Sequence, residues 1–341
     1  MMSTIVKAMA AHQASGVLEP FEYELPEISS EEVEIAIEHC GLCHSDLSML
    51  NNEWGITSFP FVPGHEIVGK IVSLGNVAAS KNLTIGQTVG VGWNASCCQH
   101  CESCINGQQQ MCSNGQATIV GNHGGFANKI RVNWMWAIPI PENIDFAEVG
   151  PLLCGGITVF SPLLQHNILP TARVGVFGIG GLGHMALKFL KAWGVNLTAF
   201  TSSLDKTEEL KAFGAQHVVS SVDTDALTKL QGTFDLLIIT ANVKLDWDSI
   251  TALLANNGKL HFVGAILEPI PVNIFPLLLA KKSINASPTG SRAEIDTMLK
   301  FAAQHNITPQ TEHFPLSKAN EAMAHLHSGK AKYRIVLDMD L

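Results

Sequence analysis

The sequence predicts an α/β chain in two parts, one β-rich and one a doubly wound parallel sheet. Three observations carry this reading. Residues 1–150 are crowded with β-branched residues and glycine turns, and Val33-Glu34-Ile35-Ala36-Ile37 alternates as a half-buried strand does. From about residue 151, short apolar runs alternate with amphipathic ones, the order that builds a parallel sheet. The glycine run Gly178-Ile179-Gly180-Gly181-Leu182-Gly183 falls where one such strand passes into a helix. A length of 341 residues suits two domains at roughly 150 residues each.

Taken in order, Ile67–Val72 and Thr88–Val91 read as further strands of the first part, with a long insertion around 94–125. In the second part Arg173–Phe177 is a short apolar strand. Leu182, Met185, Ala186, Phe189, Leu190 and Trp193 then recur on one helical face, and Gly194 ends the helix. Asn196–Phe200 is the next strand, and a helix from Leu204 to Phe213 stops at Gly214. Val218-Val219, Phe234–Thr240 and Lys259–Gly264 follow as strands. Beyond about 285 come two helical patterns, Ala293–Gln304 and Leu316–His327, and a last strand at Tyr333–Leu337.

Hydrophobic residues make up 46% of the chain and charged ones 15%, so there is material for real cores. The net charge of −9 argues against nucleic acid as the main partner, which needs a clustered cationic surface. Met1-Met2-Ser3-Thr4-Ile5-Val6-Lys7 has no charged-then-apolar signal pattern, and no uninterrupted apolar run reaches about 18 residues. The expectation is a cytoplasmic protein. In that setting the eight cysteines, all between 40 and 154, point to metal rather than disulfides.

Cys98, Cys101, Cys104 and Cys112 are spaced as four thiolates that close a tetrahedral shell around Zn²⁺. Such a shell has no open position, so the site is structural. Cys97 stands beside the first ligand and could replace Cys98 only with one residue more in the spacing. A second, dispersed set is Cys43-His44-Ser45-Asp46, His65-Glu66 and Cys154. Each alone reads equally as a buried thiol or a satisfied histidine. The glycine run has the strand-to-helix setting that lets a pyrophosphate approach a helix N-terminus. About 20 residues on, where an NAD site carries Asp or Glu, stand Thr201, Ser202, Ser203 and then Lys206. Hydroxyls and an ammonium suit a 2′-phosphate, so NADP(H) is expected over NAD. Asp205 is the one acid nearby, at the start of the following helix.

With these motifs in order, the chain resembles the zinc-containing medium-chain alcohol dehydrogenases over essentially its whole length. It looks closest to the cinnamyl alcohol dehydrogenase branch and its broad-range aldehyde reductases. The resemblance implies a GroES-like catalytic domain of residues 1–150 and 290–341, with a zinc lobe at about 94–115. A Rossmann NADP-binding domain of residues 151–289 would be inserted in it. It implies a catalytic Zn²⁺ on Cys43, His65 and Cys154, with Glu66 as an adjacent or alternate ligand, in the cleft between the domains. Asp46 would orient the ligating histidine, and Ser45 would bond the substrate oxygen and start a proton relay. Gly178, Gly180, Gly181, Leu182, Gly183, Thr201, Ser202, Ser203, Lys206, Val263, Gly264 and Ser291 would line the cofactor.

There are departures from the family. The plant enzymes continue the relay through a histidine where this chain has Ser48, so the path runs through Ser48, water or His44. Trp54 and Trp93 read either as a substrate-pocket wall or as plain core. The function expected is hydride transfer between NADP(H) and a primary alcohol or aldehyde, with two zinc ions per chain and a homodimer or homotetramer. An NAD-preferring polyol or sugar dehydrogenase is the neighbouring alternative. A zinc-stabilised regulatory protein on a dehydrogenase fold is the alternative of another class. No role falls to Cys40 or Cys97.

Overall fold

Most elements form where the periodicity places them, and the computed structural model describes residues 4–341. One compact unit comprises Met1–Cys154 and Thr289–Leu341. Its main sheet runs Thr311–Pro315, Arg334–Asp338, Glu32–Leu42, Glu66–Leu74, Thr88–Val91 and Ile138–Pro139, with Lys129–Asn133 also paired to Glu32–Leu42. The first pair is parallel and the rest antiparallel, so the sheet is mixed. A separate hairpin, Thr4–Ala10 with Glu19–Leu25, packs its inner residues into the same core. Val6, Ile35, Leu42, Phe61, Phe126 and Ile335 are fully or almost fully buried there. Their burial is the main stabilising term, at about 25 cal/mol per Å² of apolar surface.

The long strand Glu32–Leu42 crosses the sheet and delivers the chain to Cys43, where the helix His44–Leu50 begins. Its neighbour Glu66–Leu74 starts directly after His65. A 3₁₀ turn, Gly150–Leu153, comes so close to that strand that a Cβ on Gly150 would stand 2.6 Å from the Glu66 carbonyl oxygen. Only glycine permits this approach, and it sets Cys154 at the turn's end. Three remote segments are thereby fixed around one point.

The second unit, Gly155–Pro288, holds a six-stranded parallel sheet. Its strands lie in the order His217–Ser220, Asn196–Thr201, Arg173–Phe177, Phe234–Ile239, Leu254–Phe262 and Ser283–Ala286. In chain sequence this is the 3-2-1-4-5-6 order of the doubly wound dinucleotide fold. Phe177 and Phe200 stack with centroids 4.1 Å apart at its centre. The fifth strand ends at Phe262, so Val263 and Gly264 lie just past it rather than within it. Several elements lay outside the sequence reading: the N-terminal hairpin, the helix Gly155–Gln165, and the strands Ser283–Ala286 and Thr311–Pro315. The last two are short, and the hairpin's second strand is largely solvated, so apolar periodicity is weak there.

Candidate metal centres and nucleotide loop

Cys43 caps the helix His44–Leu50, and its own N–H donates to Asp46 Oδ2 at 2.9 Å. The other oxygen of that carboxylate accepts from Gly64 N–H at 2.8 Å and lies 2.9 Å from His65 Nδ1. Asp46 and His65 are both wholly buried. With Nδ1–H donating to Asp46, the Nε2 lone pair is turned inward, where it lies 3.2 Å from Cys154 Sγ. Cys43 Sγ is 3.9 Å from Cys154 Sγ and 3.7 Å from Ser45 Oγ. One ligand atom each from Cys43, His65, Glu66 and Cys154 lies within 4.8 Å of every other.

The members of this cluster set one another's charge. Burial opposes a charged His65 ring, but the Asp46 carboxylate outweighs it and holds the imidazole pKa well above its usual value. The hydrogen bond with Cys154, helped by Arg334 and His65, lowers Cys43 against its burial, and the same contact raises Cys154. Burial pushes Glu66 up to about 7, opposed by the guanidinium of Arg334. Arg334 pairs with Glu66 Oε1, while Oε2 has no hydrogen-bond partner. Two thiols, an imidazole and a carboxylate oxygen without a partner form a donor set that fits Zn²⁺. Arg334 was not foreseen. It lies 268 residues from Glu66 in sequence, and nothing in its local pattern marks it.

The second cysteine group is equally convergent. Cys98 Sγ is 3.5 Å from Cys112 Sγ and 4.0 Å from Cys104 Sγ, and Cys101 Sγ is 3.8 Å from Cys112 Sγ. Backbone N–H groups point at the sulfurs: Cys98 N–H at Cys112 and Cys101 N–H at Cys98. The His100 backbone and then that of Cys101 lower Cys98 to about 6. Four thiols with amide donors fit a closed tetrahedral Zn²⁺ shell. Cys97 stays outside it, buried with its Sγ 3.5 Å from Met135 Sδ. Cys40 is fully buried and bonds the Gly41 carbonyl, and burial raises its pKa.

Trp93 stands edge-on to His65 at 5.2 Å between centroids, and Trp54 packs on Trp93 at 6.0 Å. Both are half-buried and pack against the hydrophobic core, with Trp93 also touching the His65 ring. Ser48 is buried and donates to Glu53 Oε2 at 2.7 Å, while Asn51 holds the other oxygen at 3.1 Å. Glu53 is exposed, as is His44.

In the second unit the strand Arg173–Phe177 turns through Gly178, at φ +87°, into the helix Gly181–Trp193. A Cβ on Gly183 would lie 2.1 Å from the Gly178 carbonyl oxygen, so this turn tolerates no side chain there. A Cβ on Gly180 would meet nothing within 4 Å. The protein's own packing therefore leaves room at Gly180, as a bound pyrophosphate requires. Gly181 and Leu182 open the helix, and Gly183 is buried within its first turn. Val263 N–H bonds the Ile239 carbonyl just beyond the strand ends, with Gly264 next to it. Thr201, Ser202, Ser203 and Lys206 gather where the second strand ends. Ser291 belongs to the other unit and caps the helix Arg292–His305, exchanging hydrogen bonds with Glu294.

Residues 29–142 match the family model described as alcohol dehydrogenase GroES-like domain, and residues 181–304 match zinc-binding dehydrogenase. The chain is 49% identical to aldehyde reductase AdhA of Synechocystis over 333 residues, 98% of each chain. It is 37% identical to probable cinnamyl alcohol dehydrogenase 6 of Arabidopsis thaliana, covering 97% of this chain and 93% of that one. Among solved structures, a Sorghum bicolor cinnamyl alcohol dehydrogenase superposes with a TM-score of 0.92 at 33% identity, over 98% of both chains. The Helicobacter pylori enzyme, solved with NADP(H), gives 0.91 at 30% identity over 99% of both.

Proposed function

The chain belongs to the zinc-containing medium-chain alcohol dehydrogenase family, beside its cinnamyl alcohol dehydrogenase branch, and from this we propose that it is a zinc-dependent, NADP(H)-linked aldehyde reductase. One observation carries the reading: Cys43, His65, Glu66 and Cys154 converge within 4.8 Å, with Asp46 bonded behind the histidine. Bound zinc would supply Lewis-acid polarisation of the substrate oxygen, and NADPH the hydride.

The residues then divide the work. Cys43, His65 and Cys154 hold the catalytic ion, with Glu66 as alternate ligand. Cys98, Cys101, Cys104 and Cys112 hold a structural one. Asp46 fixes the His65 tautomer, which keeps Nε2 free to ligate. Ser45, beside Cys43, hands a proton to the substrate oxygen during reduction and takes it back in alcohol oxidation. The buried Ser48 hydroxyl donates to the exposed Glu53, which gives the relay a route to water without an imidazole. Trp93, edge-on to His65, and Trp54, set against it at 63°, form an angled apolar wall suited to an aromatic or narrow aliphatic aldehyde. The room at Gly180 receives the pyrophosphate, and Ser202, Ser203 and Lys206 receive the 2′-phosphate.

A homo-oligomer fits the second unit. Ile274, Phe275, Leu278 and Leu279 are all about two-thirds exposed on one short helix, which leads directly into the edge strand Ser283–Ala286. A second copy would cover this apolar surface, and light scattering of the purified protein tests it.

The deciding experiment measures NADPH and NADH oxidation with a panel of aliphatic and aromatic aldehydes, alongside zinc per chain. About two zinc ions with higher kcat/KM for NADPH support the reading. Higher kcat/KM with NADH and polyols in reverse favours a polyol dehydrogenase. No turnover with either cofactor removes the enzyme reading.

A further inference from the structure

The hydroxyls assigned to the 2′-phosphate are not equally available. Thr201 is 7% exposed, and its Oγ1 is turned to the backbone, bonding both the N–H and the carbonyl of Ser203 at 3.2 Å. Ser203 Oγ donates to Asp205 Oδ2 at 2.8 Å. Ser202 and Lys206 are exposed, with no such engagement of their side chains described. A carboxylate therefore holds one of the hydroxyls the phosphate needs, one residue from the ammonium it needs.

Resting on the NADP reading above, we propose that Asp205 is a specificity-determining residue that restrains the preference for NADP(H) over NAD(H). A phosphate monoester carries about −1.5 to −2 charges near neutral pH. To bond Ser203 it must displace the Asp205 carboxylate, and it meets a like charge there. The unphosphorylated ribose pays no such penalty, and its 2′-hydroxyl can donate to a carboxylate as it does in NAD sites. Asp205 thus weakens one cofactor and tolerates the other. Glu208 follows in the next turn and pairs with Lys211, so that lysine is already engaged by a carboxylate of its own helix.

The test is nucleotide binding, read by fluorescence titration with NADPH and NADH and by calorimetry with 2′-AMP and 5′-AMP. Asp205→Asn retains an oxygen that can accept from Ser203 and removes the charge. It is expected to raise the NADPH-over-NADH affinity ratio by about three- to tenfold, with the gain shrinking as salt rises. In a Ser203→Ala background the same substitution should give a smaller gain, because there is no charge-assisted Ser203–Asp205 hydrogen bond for the amide to weaken. An unchanged or lower ratio in Asp205→Asn overturns the proposal, as does an equal gain in both backgrounds at high salt. Tighter binding of NADH than NADPH by the unmodified protein overturns the NADP reading instead, and it is read without any variant. Unaltered thermal unfolding of Asp205→Asn checks that the exposed turn is intact.

Discussion

Acid should weaken the nucleotide-binding unit through one buried histidine. His261, on the strand Leu254–Phe262, is 1% exposed. His166 Nε2 lies 2.8 Å from its Nδ1, and Ser287 Oγ lies 2.9 Å from its Nε2. Lys259, two residues away on the same strand, adds a positive charge near His166. Burial, then the neighbouring His166, lowers His261 from 6.5 to about 4. Between those values the unfolded chain binds the proton and the folded one does not. Stability is therefore complete above pH 6.5 and is lost as pH falls toward 4. The difference corresponds to at most about 3 kcal/mol below pH 4, and to about 2 kcal/mol at pH 5. His166 is only half-buried, so water screens part of this and the figures are ceilings. Urea unfolding of the zinc-loaded protein from pH 7.5 to 4.5, compared with His261→Gln, isolates the effect. The variant should be less stable at neutral pH but lose less on acidification. Parallel pH dependences in the two proteins would refute the assignment of this loss to His261.

Other perturbations separate the two proposed metal sites and the groups around them. Cys43→Ser should abolish turnover while the fold persists, whereas Cys101→Ser should lower the Tm and reduce zinc from about two ions to about one; metal analysis and calorimetry check both. Arg334→Met leaves the Glu66 carboxylate buried without its partner and should cost about 3–5 kcal/mol by urea unfolding, with part recovered by adding Glu66→Gln. Glu53→Gln should slow alcohol oxidation about tenfold at unchanged KM and change the solvent isotope effect, and Glu53→Asp should restore much of it. Trp93→Ala should shift kcat/KM toward bulkier aldehydes by about tenfold.

The fold was legible wherever burial leaves a strong apolar pattern, periodic in a helix and continuous in a strand covered on both faces. The helix from 181 to 193 follows from its apolar spacing, while the strands Arg173–Phe177 and Arg334–Asp338, each buried over four consecutive residues, follow from continuous apolar runs that both faces of a covered strand require. The hairpin Glu19–Leu25 escaped because its strand alternates only between exposed and half-buried residues, so its sequence carries Glu where a core strand carries Val. The four-cysteine lobe was legible for another reason. Its cysteines lie within 15 residues, Cys98 to Cys112, so their convergence is written in the spacing itself.

The dispersed site obeys a different rule, and this explains what was missed. Cys43, His65 and Cys154 are brought together by strand pairing and by the approach of Gly150 to the Glu66 backbone, and neither has a local signature. Only the joint pattern of a family makes them visible. Arg334 shows what that leaves out. A site with two thiols and a carboxylate, buried around one ion, accumulates more negative charge than a divalent cation cancels when all three ionise. A buried guanidinium is a compensation such a cluster needs, because uncompensated charge in a low-dielectric interior is far costlier than the pair. Asp46 plays the matching part for His65, bonding its Nδ1 from a wholly buried position. The search for such partners should therefore start from the charge of the ligand set, since the chain can supply the balancing group from any distance in sequence.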